Sequence, residues 1–253
     1  MTPQVDSNKA YQVLIHGRSA QGEVQWHLPS ANVPGEWVDV FEDDLIANPA
    51  AHWRDGAQLF AVEYVENDGK LQARLTEEIQ PDDYKSLGIF TTGKHNVHSG
   101  VYAACGDAHI VLTGAATLYI SGRAQVQGEG TGKIHASGAA QVKAYGRIQL
   151  TACENARVFA YGNCHVAAKA HAQVFLFDQA TADGDDGVSI RGYKNANITA
   201  RGKCKVWTFD TTHARLFDKV VAYADGTSII RATADVDVIR RSVGAQVLPF
   251  VSL

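Results

Sequence analysis

The stretch SGAAQVKAYGRIQLTACENARVFAYGNCHVAAKAHAQVFLFD, residues 137–178, decides the fold of this chain. Alanine, valine and glycine return in it at a fixed interval. The dipeptide Tyr-Gly occurs twice, at residues 145–146 and again at 161–162. An interval of eight residues accounts for both observations.

Written in octads from Asp107, the chain keeps this interval without an insertion for sixteen repeats. Small residues dominate position two, and polar residues concentrate at positions one, three and five. The fourth position is apolar in every copy: Ile110, Leu118, Val126, Ile134, Val142, Leu150, Val158, Val166, Val174, Ala182, Ile190, Ile198, Val206, Ala214, Ala222 and Ile230. Alternation with a period of two indicates strands, and short strands with Gly or Asp turns repeated in register are typical of a solenoid. A sandwich or barrel is disfavoured because its hairpin lengths vary.

Aromatic residues set the number of octads in one coil. Position seven of every second octad carries one column: Tyr145, Tyr161, Phe177, Tyr193 and Phe209. Position five of the same octads carries another: Lys143, Phe159, Phe175, Arg191, Trp207 and Tyr223. A coil of two octads places both columns on one side, whereas a coil of three would scatter them. We therefore predict an all-β, flattened β-solenoid of sixteen residues per coil, in which each coil rises about 4.8 Å on the one before.

The ends of the chain depart from the octad. Residues 1–90 are predicted to form a small, mainly β domain that caps the first coil, with strands at 59–65 and 70–75 joined by a hairpin turn. Residues 91–238 form the solenoid in this interpretation. Residues 239–253 are predicted to cap its other end, because an uncapped solenoid exposes a sheet edge.

Composition excludes several classes of function. The chain has 253 residues, 45% of them hydrophobic and 20% charged, and its net charge is -4. A nucleic-acid binder normally carries a basic surplus, so no nucleic-acid partner is expected. No apolar run approaches the roughly 18 residues of a membrane span, and the start lacks the layout of a signal peptide. Four scattered cysteines give no disulfide framework. We expect no cofactor and no membrane partner, and a cytoplasmic protein or a component of a signal-less assembly such as a phage particle.

The strongest candidate binding site is the aromatic wall, which we define as the aromatic residues of the two columns. Its members are Tyr145, Phe159, Tyr161, Phe175, Phe177, Tyr193, Trp207, Phe209 and Tyr223. Uncovered, it would exceed the few hundred Å² of apolar patch that a soluble monomer usually exposes. Three alternatives follow: the N-terminal domain covers it, a protein partner or second copy docks on it, or it stacks sugar rings.

The opposite wall is polar and offers a weaker candidate. Asp183 and Asp185 point the same way two residues apart, and paired carboxylates are what general acid–base chemistry requires. Lys169, Arg201 and Arg215 fall in neighbouring coils. A ladder of compensating surface charges is the simpler interpretation, so no catalytic residue is assigned.

One metal-like cluster lies at the start of the solenoid. His95, His98, Cys105 and His109 are ligand types that zinc takes in fours, but their spacing matches no zinc motif. The DGDDG segment at 183–187 lacks the spacing of a calcium loop. No metal site is assigned.

Residues 99–238 resemble the broad class of short-repeat β-helix proteins, on the octad alone. Such folds serve as phage fibres, adhesins, scaffolds, inhibitors and polysaccharide enzymes, so the resemblance does not select a function. In the absence of a convincing catalytic constellation, we expect a non-catalytic module that presents the aromatic wall to a protein partner or to a second copy. The alternative is a carbohydrate-binding or polysaccharide-cleaving protein that uses the polar wall.

Overall fold

The computed structural model describes residues 88–250 continuously and, before them, residues 11–15, 26–27, 36–39, 45–46, 58–67, 70–78, 80 and 85. The chain divides into two compact units. One comprises Met1–Thr91 with Val101–Ala103, and the other Thr92–Gly100 with Ala104–Leu253.

The first unit contains a six-stranded sheet. Its strands are β1 (Tyr11–Ile15), β2 (Trp26–His27), β3 (Trp37–Asp39), β4 (Leu45–Ile46), β5 (Gln58–Asn67) and β6 (Lys70–Glu78), in the order β3-β6-β5-β1-β2-β4. β7 (Ile89–Phe90) and all but the last residue of β9 (Val101–Ala104) also belong to this unit. β5 and β6 pair antiparallel from Asn67 and Lys70 onward, which confirms the predicted hairpin strands.

The second unit is a β-solenoid of parallel strands arranged in two sheets, which we call sheet one and sheet two. Sheet one consists of β8 (Lys94–Val97), β10 (His109–Gly114), β12 (Gln125–Gly130), β14 (Gln141–Gly146), β16 (Arg157–Ala160), β18 (Gln173–Leu176), β20 (Ser189–Gly192), β22 (Lys205–Thr208), β24 (Val221–Ala224) and β26 (Asp237–Arg241). In this unit, sheet two includes β11 (Thr117–Ile120), β13 (Lys133–Ala136), β15 (Gln149–Ala152), β17 (His165–Lys169), β19 (Thr181–Asp185), β21 (Asn197–Arg201), β23 (His213–Leu216), β25 (Ile229–Ala232) and β27 (Gln246–Pro249).

The register of both sheets confirms the sixteen-residue coil. Val142 pairs with Val158 in sheet one, and Val166 pairs with Ala182 in sheet two. The solenoid has about ten turns, more than the eight implied by the sixteen octads, because strands flank the octads on both sides. Every apolar residue at position four of the octad is at most 4% exposed. The predicted inward column is therefore the core.

Small residues line the interior because the two sheets nearly touch. A Cβ on Gly184 of β19 would lie 2.6 Å from Cδ1 of Ile190, which projects from the opposite sheet. A Cβ on Gly192 of β20 would lie 2.9 Å from Cδ1 of Ile198. Each isoleucine thus fills the space left by a missing side chain across the coil, which is the close packing expected of a protein interior.

Acidic residues at the corners tie successive coils together. Asp210 and Asp218, at position eight of their octads, have the left-handed backbone with φ of 53° and 57°. The Oδ2 atom of Asp210 accepts the backbone N–H of Lys194 at 3.0 Å, and Oδ2 of Asp218 accepts that of Gly202 at 3.2 Å. Glu154 accepts the N–H of Gly138 in the same way at 2.7 Å. Asp tolerates the left-handed conformation, and its carboxylate also accepts a hydrogen bond from a backbone N–H one coil away.

The segment after the last octad forms one further coil. β26 and β27 pair in parallel with β24 and β25, with a bulge in β26 that places Tyr223 opposite Arg240. The residue before Arg240, Ile239, is 56% exposed. Phe250 packs edge-on against Phe217 with ring centroids 4.7 Å apart. The capping roles of residues 1–90 and 239–253 stay predictions.

Candidate functional site

The position-seven column forms a continuous stack of rings, which we call the corner ladder. It consists of Tyr145, Tyr161, Phe177, Tyr193 and Phe209. Consecutive ring centroids are 4.6–5.0 Å apart, and consecutive ring planes differ by 6–12°. The spacing is that of neighbouring strands, so each ring lies flat on its copy in the next coil. The predicted stacking of this column is confirmed.

The position-five column forms a second stack on the outer side of sheet one, which we call the face ladder. Phe159 and Phe175 stack with centroids 4.7 Å apart, and Trp207 and Tyr223 stack at 5.3 Å. Arg191 lies between the pairs, its Cζ atom 5.1 Å from the centroid of Phe175 and 4.7 Å from that of Trp207. A guanidinium is planar and stacks on aromatic faces, so it continues the ladder. Arg191, although not aromatic, is thus a rung of the face ladder.

A second arginine contacts the face ladder from the side. Cζ of Arg157 lies 4.9 Å from the centroid of Phe159 and 5.1 Å from that of Phe175. Within the described residues, neither Arg157 nor Arg191 forms an ion pair or a side-chain hydrogen bond. Both guanidinium groups are therefore held against rings while their N–H donors remain available.

Stacking decides which part of each ring meets the solvent. The rings cover one another's faces, and all members of both ladders are half-buried except Tyr145, which is 36% exposed at the end of the corner ladder. Between the ends of each ladder, the exposed surface is consequently made of ring edges. An aromatic edge carries partial positive charge and the face partial negative charge. Such edges favour anions and carbonyl oxygens.

The outward side chains of sheet one form the interaction face, which we define as positions three and five of strands β14 to β24. They are Gln141, Lys143, Arg157, Phe159, Gln173, Phe175, Ser189, Arg191, Lys205, Trp207, Val221 and Tyr223. Four of these residues are cationic and none is acidic, although the whole chain has a net charge of -4. The interaction face is thus both aromatic and basic.

The corner beside the interaction face carries acids whose carboxylates are already engaged. Oδ1 of Asp178 accepts a hydrogen bond from Nζ of Lys194 at 2.6 Å, and Asp210 accepts the backbone N–H of the same residue. The bond from Lys194 lowers the pKa of Asp178 below its ordinary value. These contacts link three successive coils and order the corner next to the rings.

On the polar wall, acidic side chains lie beside imidazole or basic side chains of neighbouring coils. Nε2 of His165 lies 3.5 Å from Oδ2 of Asp183, and Nδ1 of the same ring lies 2.9 Å from Oγ1 of Thr181. Asp185 is in register with Lys169 in one neighbouring coil and with Arg201 in the other. Both aspartates are exposed along a shallow depression of about 400 Å³. This arrangement suits compensating surface charges better than a site that excludes water.

The four residues considered for zinc lie in different environments. Nε2 of His95 is 2.7 Å from the carbonyl oxygen of Thr92, Cys105 is buried, and His98 and His109 are exposed. In the part of the chain that the structure describes, no three His, Cys, Asp or Glu residues are grouped to hold a metal ion. The same residues contain no helix long and apolar enough to cross a membrane.

Sequence reasoning missed the two arginines of the interaction face and one stacked pair on sheet two. Tyr119 and His135 stack with centroids 4.6 Å apart, and burial, with a smaller effect of Lys133, lowers the pKa of His135. For Arg191, Tyr119 and His135 the signal was present in the sequence, because each lies sixteen residues from a ring; Arg157 lies sixteen residues from Gln141 and Gln173 and gave no such signal.

No protein-family model, curated protein sequence or solved structure matches this chain. The fold itself supports the general resemblance to β-helix proteins but selects no family among them. The function is therefore argued from the interaction face.

Proposed function

We propose that this protein is a non-catalytic binding or assembly module whose solenoid presents the interaction face to a protein partner or to a second copy of the chain. The observation that carries this proposal is the face ladder, a continuous stack of four rings and one guanidinium on an outer sheet surface. Aromatic residues and arginine are the residue types that dominate binding energy at protein interfaces.

The fold favours binding because the interaction face is already ordered. In sheet one, each strand from β14 to β22 pairs in register with two neighbours, as β18 does with β16 and β20. Each inner rung is held between the rungs on either side of it. Binding loses free energy when side chains must be ordered at the interface, about 0.5–1.5 kcal/mol for each rotamer-rich side chain. A stacked ladder avoids much of that cost.

Ring orientation favours a protein partner over a glycan on this face. Carbohydrate rings stack on the faces of aromatic side chains, and here the faces inside the ladder are covered by neighbouring rungs 4.7 and 5.3 Å away, which leaves only the outer faces of the two end rings. Ring edges and guanidinium donors instead suit backbone carbonyls and carboxylates. The aromatic wall is thus proposed as a protein-binding surface.

A glycan-binding function is the second candidate, and it uses the polar wall. A depression of about 420 Å³ there is lined by hydrogen-bonding side chains that include His165, Thr181, Asn197 and His213. Glycan-array binding, and turnover of polysaccharides compared with an Asp185→Ala variant, test this candidate. Absence of both binding and turnover would exclude it.

Site-directed photo-crosslinking tests the main proposal. A benzophenone amino acid replaces Gln173, which is exposed beside the face ladder, or Asn197, which is exposed at the equivalent octad position on sheet two. After irradiation in cells of the source organism, adducts are identified by mass spectrometry. We expect a defined adduct, with another polypeptide or with this chain, from position 173 only, and its loss when Trp207→Ser is added. No adduct, or equal adducts from both positions, would refute the proposal.

A further inference from the structure

The charge of the interaction face narrows the choice of partner. Its cations are Lys143, Arg157, Arg191 and Lys205, and none of its twelve residues, all on sheet one, is acidic. Within the described residues, none of these four cations makes an ion pair. A negatively charged partner would gain binding specificity and a faster association rate by pairing with these cations.

The same charges argue against a two-fold dimer through this face. Such a dimer would place the same face of each copy against the other, so that each residue meets another residue of that face. Four cations would then face four cations without an acid between them, and like charges brought together at an interface cost several kcal/mol. The occupant of this face is therefore a different surface.

The position of the two arginines fits carboxylates on an extended polypeptide. Their Cζ atoms each lie 5.1 Å from the centroid of Phe175, so they are separated by at most twice that distance. Side chains two residues apart on an extended segment are separated by about 6.6 Å. Two such carboxylates reach both guanidinium groups, and each guanidinium can bind a carboxylate through two parallel hydrogen bonds.

Nucleic acids and anionic polysaccharides complement the positive charge of this surface but not its ring edges. Single-stranded nucleic acids gain much of their binding energy by stacking bases on exposed aromatic faces. Both faces of Phe175 and Trp207, and one face each of Phe159 and Tyr223, are occupied by stacking within the ladder. A polypeptide supplies carboxylates for the arginines and carbonyl oxygens for the ring edges, so it fits better.

We infer that the interaction face binds an acidic polypeptide segment in which carboxylates on alternate residues pair with Arg157 and Arg191 across Phe175. This inference rests on the proposed function and specifies its partner class. The contact is electrostatic in part, so it weakens as salt concentration rises.

The experiment measures binding of fluorescein-labelled poly-L-glutamate to the full chain by fluorescence anisotropy. The test variant is Arg157→Gln with Arg191→Gln, and Arg157→Lys with Arg191→Lys retains the charge but not the paired donors. The control is Arg215→Gln with Arg231→Gln, which removes two exposed arginines from sheet two. We expect about tenfold weaker binding by the Gln variant, an intermediate loss with Lys, and less than about twofold change in the control. Circular dichroism verifies that each variant is folded.

Each outcome decides the inference. Absent binding of poly-L-glutamate, or equal weakening by the test and control variants, overturns the acidic partner. If crosslinks from position 173 persist in that case, the proposed function survives with a partner of other chemistry. Tighter binding of oligo-dT or heparin than of poly-L-glutamate, with the same dependence on Arg157 and Arg191, overturns the polypeptide in favour of a nucleic acid or a sulfated glycan.

Discussion

Replacement of Phe175 by alanine removes the centre of the face ladder. The ring stacks on Phe159 at 4.7 Å and contacts the guanidinium groups of Arg157 and Arg191, each with its Cζ atom 5.1 Å from the ring centroid. A stacked aromatic pair contributes about 0.5–1.5 kcal/mol beyond its buried area. A cation over an aromatic face contributes about 0.5–1 kcal/mol at an exposed site. These ring-specific contributions sum to about 1.5–3.5 kcal/mol, and we expect Phe175→Ala to lower the free energy of unfolding by at least that amount.

Equilibrium unfolding in urea, followed by far-UV circular dichroism, measures this loss. Gln173→Ala is the matched control, because Gln173 is exposed on the same strand and the same face. Its effect should stay within about 0.5 kcal/mol. Phe175→Leu keeps an apolar side chain and should still lose most of the ring-specific stabilisation. The double variant with Arg191→Gln should cost less than the sum of the single changes, because the two residues are in contact.

The result that would refute this reasoning is a Phe175→Ala variant no less stable than Gln173→Ala. Stacking would then follow passively from the coil spacing, without stabilising the fold. An additive double variant would separately show that the contact between Arg191 and Phe175 carries no free energy.

Three further expectations follow from other parts of the solenoid. Gly226→Ala should lower the free energy of unfolding by about 1–3 kcal/mol, because a Cβ there would lie 2.6 Å from the backbone nitrogen of Asp210; an unchanged urea midpoint would contradict this. Burial raises the pKa of the Cys164 thiol, so iodoacetamide should modify the half-buried Cys153 first. Mass spectrometry of the alkylated native protein measures both rates, and equally fast modification of Cys164 would exclude its position in the core. Because the pKa of His135 is lowered in the folded protein, the unfolded chain binds a proton at this residue more readily. The free energy of unfolding should therefore fall as pH drops from the ordinary histidine pKa through the lowered one, and His135→Gln should remove that part of its pH dependence.

The coil could be predicted from the sequence because its signals are periodic. The apolar residue at position four fixed which side of each strand faces inward, and Tyr145, Tyr161 and Phe177 fixed the coil at two octads. Both deductions need only the strand period and the spacing between strands. The interior was less predictable. That Gly184 accommodates Ile190 depends on the distance between the two sheets, which no repeat period encodes.

The interaction face was only partly predictable. Its rings follow from the period, whereas the role of Arg191 follows from a guanidinium lying flat between two rings. Arg157 occupies position three, outside the aromatic column, and reaches the ladder because its long side chain extends sideways. Its contact depends on a rotamer. The basic character of this face is hidden in the composition, because the whole chain has a net charge of -4.

The sixteen-residue register gives the rod a modular length. Residues 163–178 form one complete turn, and their removal would bring Phe159 against Arg191 and Tyr161 against Tyr193, since each pair occupies the same column. A duplication of the same block would instead add about 4.8 Å of rod. Gain or loss of whole turns therefore changes the length of the solenoid while each column of side chains keeps its register.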